Sequence, residues 1–169
     1  MTRSAWFDAL AHHTWASERL LEACADLARE QLATPVPGTY GSILAILRHM
    51  VATDGWYLSF FLEFENPIGE EDTSVTIEQL RAANAANGER WQSVLAEDRD
   101  PESDVVERND EEGWTFTTPF AFRLAQAVHH GTDHRSQVCT GLTALGVQPP
   151  EIDVWAYGEA TGRSRAARL

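Results

Sequence analysis

TPFAFRLAQAVHHGTDHRSQVCTGLTALG, residues 118–146, is the stretch on which the reading of the fold turns. Thr118 followed by Pro119 marks a helix start, because proline suits the first helical position, where its missing N–H has no intrahelical partner to lose. At 100° per residue, Phe120, Leu124, Ala127, Gly131, His134, Val138, Leu142 and Leu145 then fall along one side. The run stops at Gly146, and Pro149 and Pro150 prevent any extension. One long amphipathic helix results, with His134 on its inner face. His130 lies one turn earlier and projects toward the same region, whereas His129 points almost opposite and reads as exposed.

Working outward, residues 4–29 carry Trp6, Leu10, His13, Leu20, Cys24 and Leu27 at spacings of three, four and seven, the stripe of a first helix. PVPGTYG, residues 35–41, breaks it. Ser42 then caps a second helix through ILAILRHMVATDGWYLSFFLEF to about residue 65. That helix is apolar over more than half its circumference, which suits an element with neighbours on two sides. After the acidic loop NPIGEEDTS, Thr76 and Gln79 form a capping box for a third helix ending near Glu97, with Ile77, Leu80, Asn84, Asn87, Trp91 and Leu95 inward. VVERNDEEGWTF, residues 105–116, places two β-prone runs around a polar turn and reads as a small hairpin. The expectation is a single all-α domain over residues 1–169, a four-helix bundle with a hairpin before its last long helix.

Charge narrows the function classes. The chain has 26 acidic and 13 basic residues, a net charge of -13, which argues against a surface that neutralises phosphates, so no nucleic-acid partner is expected. No run approaches the 18 apolar residues of a membrane span, and MTRSAWFDALAHH lacks the pattern of a secretory signal. A cytoplasmic protein without a membrane partner is the reading. Cys24 and Cys139 read as reduced thiols, and the terminal GRSRAARL as a solvated tail.

Two imidazoles one turn apart can supply two ligands to one transition ion, but a stable site wants a third from another helix. His49, on the broad apolar face of the second helix with Ile46, Thr53, Phe60 and Phe64, is the candidate; His12 and His13 are alternatives. Spacing alone leaves open that these are ordinary packing histidines. Neither HExxH nor a Glu-x-x-His pair occurs, so any metal is a single ion, and three imidazoles suit zinc or nickel. Asp54, Asp133 and Asp153 are candidates to orient ligands, against the plain reading of surface aspartates. Trp6, Trp56, Phe60 and Trp155 line either a pocket or the core.

Three segments carry a family resemblance: RHMVATDGWYL, EEGWTFTTPFAFRLAQAVHHGTDHRSQV and PPEIDVWAY, in this order. Together they resemble the DinB family of DinB/YfiT-like metalloenzymes. The resemblance implies a four-helix bundle of up-down-down-up topology and a metal triad falling on His49, His130 and His134, with Arg135 and Gln137 at the neighbouring polar positions. Ser136 stands where the family motif usually has glycine. The family includes transferases that use low-molecular-weight thiols and related thiol-dependent isomerases, and its members form homodimers. By resemblance, the lead expectation is transfer of such a thiol to an electrophilic small molecule, with Arg135 a candidate contact for the cofactor's carboxylate. The alternatives are a hydrolase that activates water at the ion and a non-catalytic metal- or ligand-binding bundle.

Overall fold

In the computed structural model, which describes residues 5–167, the elements run α1 (Ala5–Ala25), the single turn α2 (Arg29–Leu32), α3 (Ile43–Ser59), α4 (Ile77–Ala96), β1 (Asp104–Asn109), β2 (Trp114–Pro119), α5 (Phe120–Ala144) and α6 (Val154–Thr161). Ser4, the expected start of the first helix, and Arg168 and Leu169 of the expected tail lie outside the described residues. Two starts are set by local chemistry. Ser42 Oγ accepts from Ala45 N at 3.2 Å, and Thr76 and Gln79 exchange bonds as a capping box.

Helices α1 and α3 each pack against both α4 and α5, so the order around the bundle is α1, α4, α3, α5. This is the up-down-down-up arrangement, with the long crossover 60–76 joining α3 to α4. Apolar side chains form two clusters stacked along the bundle. One includes Leu20, Ile46, Leu47, Leu80, Val138 and Leu142; the other includes Leu10, Leu58, Trp91, Val94 and Leu124. Each such leucine contributes roughly 1.5–3 kcal/mol on full burial. Between the clusters, all four long helices turn polar residues inward: His13 and Ser17, Asp54, Asn84 and Asn87, His134 and Arg135, all buried. The two asparagines confirm the register of α4, since their amides donate to Thr14 O and Val51 O of the neighbouring helices.

Four details depart from the sequence reading. Helix α3 ends at Ser59 rather than near 65, because Asn66 folds the chain back: it donates to Ala52 O at 2.9 Å and packs where a Cβ on Gly55 would stand 2.7 Å from it. The hairpin is longer than 105–116 and runs directly into α5, with Asp104 opposite Pro119. Pro119 stands at the N-cap of α5 and not at its first helical position; Thr118 Oγ1 accepts from Arg123 Nε, while the free N–H groups of Phe120 and Ala121 bond to Ser103 O and Pro101 O, both at 2.9 Å. Finally, PPEIDVWAY leads into a short helix, α6, capped by Asp153 and laid on α1 through the rings of Tyr157, Trp15 and His12. Arg163 of the expected free tail pairs with Asp8.

Candidate metal centre

The stack of α3 against α5 brings His49, His130 and His134 together, each with one ring nitrogen within 4.8 Å of the others. His49 Nε2 and His130 Nε2 stand 3.1 Å apart. Two nitrogens on one tetrahedral ion at the usual zinc–nitrogen length of about 2.0–2.1 Å are separated by about 3.3–3.4 Å, so this spacing is close to that of neighbouring ligands. His134 Nδ1 is buried with no hydrogen-bond partner among the described residues, an orphan that is costly unless something outside the chain satisfies it. The donor set and its spacing therefore fit a single late divalent ion.

Burial, then the neighbouring His134 and His49 rings, push the His130 pKa down to about 4. Burial first and His49 second lower His134 too. Both rings are thus unprotonated near neutral pH, the form in which imidazole binds metal.

His49 is held from behind. Its Nδ1 donates to Glu70 Oε1 at 2.5 Å, which leaves Nε2 as the free lone pair facing His130. Tyr40 stacks on the His49 ring at 4.2 Å and 18°, donates its hydroxyl to the same Glu70 oxygen at 2.9 Å, and meets His134 edge-on. Gln137 fixes Tyr40 by accepting its backbone N–H at 2.8 Å. The crossover that carries Glu70 is tied to α3 by Arg48, which donates to Asp72 O. Sequence reasoning missed Glu70 and Tyr40, which lie in segments read only as an acidic loop and a helix breaker; no local pattern marks them.

Beside the triad runs a buried chain with one member from each long helix. Trp91 Nε1 donates to Asp54 Oδ1 at 2.9 Å, His13 Nε2 meets the same oxygen at 3.2 Å, and Arg135 Nη1 donates to His13 Nδ1 at 3.1 Å. Arg135 also bonds Ser17 Oγ and Thr132 Oγ1. Gly131 makes the chain possible, because a Cβ there would come within 2.3 Å of His13 Cε1.

The remaining candidates divide cleanly. Arg135 is 3% exposed, its guanidinium engaged in the interior chain, and burial lowers its pKa to about 10. His13 belongs to that chain and not to the triad; His12 bonds Ile152 O at 2.8 Å. Asp54 is buried, Asp133 is exposed and Asp153 caps α6. His129 is exposed. Trp56 lines two cavities, Phe60 stacks under Arg123, Trp6 packs against the upper core, and Trp155 is 76% exposed.

Fold and site together define a helical-bundle protein with a three-histidine candidate metal site. The chain belongs to the DinB family, whose model matches residues 1–166. No curated protein and no solved structure is significantly similar to it. Among the described residues no helix is long and apolar enough to cross a membrane.

Proposed function

We propose that the chain is a mononuclear metal-dependent enzyme that transfers a low-molecular-weight thiol to an electrophilic small molecule, acting in the cytoplasm as a homodimer with zinc or nickel on His49, His130 and His134. The observation that carries this reading is the incomplete ligand set. Three imidazoles converge and, among the described residues, no fourth imidazole, thiol or carboxylate joins them. Structural zinc sites close with four protein ligands, whereas catalytic ones keep a position open. A bound ion there supplies Lewis acidity, which lowers the pKa of a thiol or of water.

The chain's own residues serve that chemistry. Glu70 and Tyr40 fix the His49 ring, and the lowered pKa of His130 spares ligation the removal of a proton. A cavity of 370 Å³ lined by His49, Thr53, Trp56, Ile68 and Glu70 opens beside His49 on its Glu70 side and gives the body of a thiol room next to that ligand. Arg135 enters this reading as a fixed positive charge next in the chain to His134, favouring thiolate over thiol, since its burial closes off direct contact with a cofactor.

The test is an activity panel on metal-defined protein purified without a metal-affinity tag, using a chloro-nitro arene and a maleylpyruvate-like acid, each with and without a low-molecular-weight thiol. Consumption only with thiol, lost in His130→Ala, supports transfer. Turnover without thiol that rises with pH assigns a hydrolase, and silence with one ion bound leaves a metal-binding bundle. The homodimer rests on the resemblance alone, and a monomer mass by light scattering would overturn it.

A further inference from the structure

Trp56 separates two cavities. One is the space beside His49; the other, of 260 Å³, lies between α3, the hairpin and α5 and is walled by Trp56, Tyr57, Phe116, Phe122, Arg123 and Gln126. Resting on the function proposed above, we propose that this second cavity seats the electrophile, and that it takes a planar aromatic or unsaturated group bearing a neutral oxygen acceptor such as a nitro or carbonyl oxygen.

The walls set the flat apolar part of the ligand. Trp56, Phe116 and Phe122 are 43%, 53% and 57% exposed, so three large aromatic faces from three different elements border one small space. Aromatic rings prefer stacked or edge-on partners of their own kind. The volume lies just below the usual range of about 300–1,000 Å³ for ligand pockets, which suits a single ring with its substituents.

The floor sets the acceptor. Arg123 is buried; its guanidinium lies 4.0 Å from the Phe60 ring centroid, donates Nε–H to Thr118 and Nη2–H to Glu107 at 3.2 Å, and makes no hydrogen bond through Nη1 among the described residues. A guanidinium has five N–H donors, so donors remain for a ligand. Glu107 already balances the charge and the chain carries a net -13, so a neutral acceptor suits the site better than a carboxylate. Gln126 donates to the Tyr57 hydroxyl at 3.2 Å, leaving the phenolic proton as another donor. Tyr57 packs edge-on against His130 with ring centroids 5.8 Å apart, so a group in this cavity is one side chain from the triad.

The experiment is a two-dimensional NMR titration of 15N-labelled protein, metal-free and zinc-loaded, with nitrobenzene and with toluene. The expected result is saturable shifts at the Trp56 indole N–H, the Arg123 Nε–H and the Gln126 side-chain amide in both forms, with nitrobenzene bound about threefold or more tighter than toluene. Trp56→Ala should weaken nitrobenzene about tenfold, and Trp56→Phe, which keeps a ring, clearly less. Because the metal-free protein reports the shifts, failure of thiol transfer leaves this result standing. Conversely, a protein that transfers thiols without these shifts loses this inference alone. Absence of saturable shifts at those three groups overturns it. So does a wild-type dimer that Phe122→Ala converts to monomer, which would make the aromatic wall a contact between copies.

Discussion

His13 and His134 occupy the same polar layer, face the same interior and differ little in exposure, at 3% and 9%. Their ring nitrogens differ completely. His13 has a donor on Nδ1 from Arg135 and an acceptor for Nε2 in Asp54, so its polar capacity is filled by the chain. His134 has a buried Nδ1 with no hydrogen-bond partner among the described residues, and its neighbours His49 and His130 face each other across 3.1 Å. A satisfied imidazole holds the bundle together; unsatisfied ones that converge make a site. Burial alone does not distinguish them, and the tally of lone pairs does.

The interior chain gives the largest effect. Removing either charged end of the Asp54–His13–Arg135 chain leaves the other buried charge uncompensated, so Asp54→Ala or Arg135→Ala should lower unfolding stability by about 3–5 kcal/mol in urea titrations. Gly131→Ala should destabilise by the same route, since its Cβ would collide with the His13 ring. Folded molecules of these variants should still take up one ion. Loss of metal with unchanged stability would reverse the roles assigned to the two histidine sets.

The triad gives the next. His134→Ala should weaken zinc binding by at least about 100-fold in a competition titration, because two imidazoles rarely hold the ion. His129→Ala, next in the chain to His130 but exposed, should leave affinity unchanged. Equal behaviour of the two would mean that the inner face of α5 has been misplaced.

Much of this contrast is legible in the sequence, and the limit is tertiary. Helical periodicity alone makes His130 and His134 converge and turns His129 away. It does not say that α3 lies against α5, so the apolar face of the second helix makes His49 a candidate beside His12 and His13, and the resemblance to a family selects it. Asp54 reads from sequence as either a ligand-orienting acid or a surface aspartate, because its partners His13 and Trp91 come from other helices and nothing near it in sequence announces them. The capping signals at Ser42 and Thr76 are short-range and appear as read. Helix α6 escaped because eight residues give too little periodicity to distinguish a helix from a loop.

Acidity bears on the triad in a further way. The pKa values of His130 and His134 are lowered in the folded chain, so the unfolded state takes up protons first as the pH falls. The stability tied to His130 is complete above its unfolded value near 6.5 and is lost as the pH falls toward about 4, and His134 contributes in the same direction. Urea midpoints of metal-free protein should therefore decline through that window, and His130→Asn should flatten the decline. A slope unchanged in that variant would place the acid sensitivity elsewhere.

The smallest effect lies at the edge of the site. Glu70 Oε1 accepts from both His49 Nδ1 and the Tyr40 hydroxyl, and this fixes which nitrogen of His49 faces its partners. Loss of such an outer acceptor costs 10–100-fold in metal affinity in general. Here the low end is expected, about tenfold for Glu70→Ala, because the carboxylate is 41% exposed and Thr53 Oγ1 stands 3.4 Å from the same nitrogen as a substitute acceptor. Glu70→Gln keeps an acceptor oxygen and should lose less. Tyr40→Phe keeps the stacked ring and removes only the second donor to Glu70, so it should cost least of the three. Zinc titrations against a chelator order these variants directly. If Glu70→Ala bound zinc as tightly as the unaltered chain, the His49 ring would be set by the stacking of Tyr40 and the backbone of α3, and the carboxylate would be a bystander of the site.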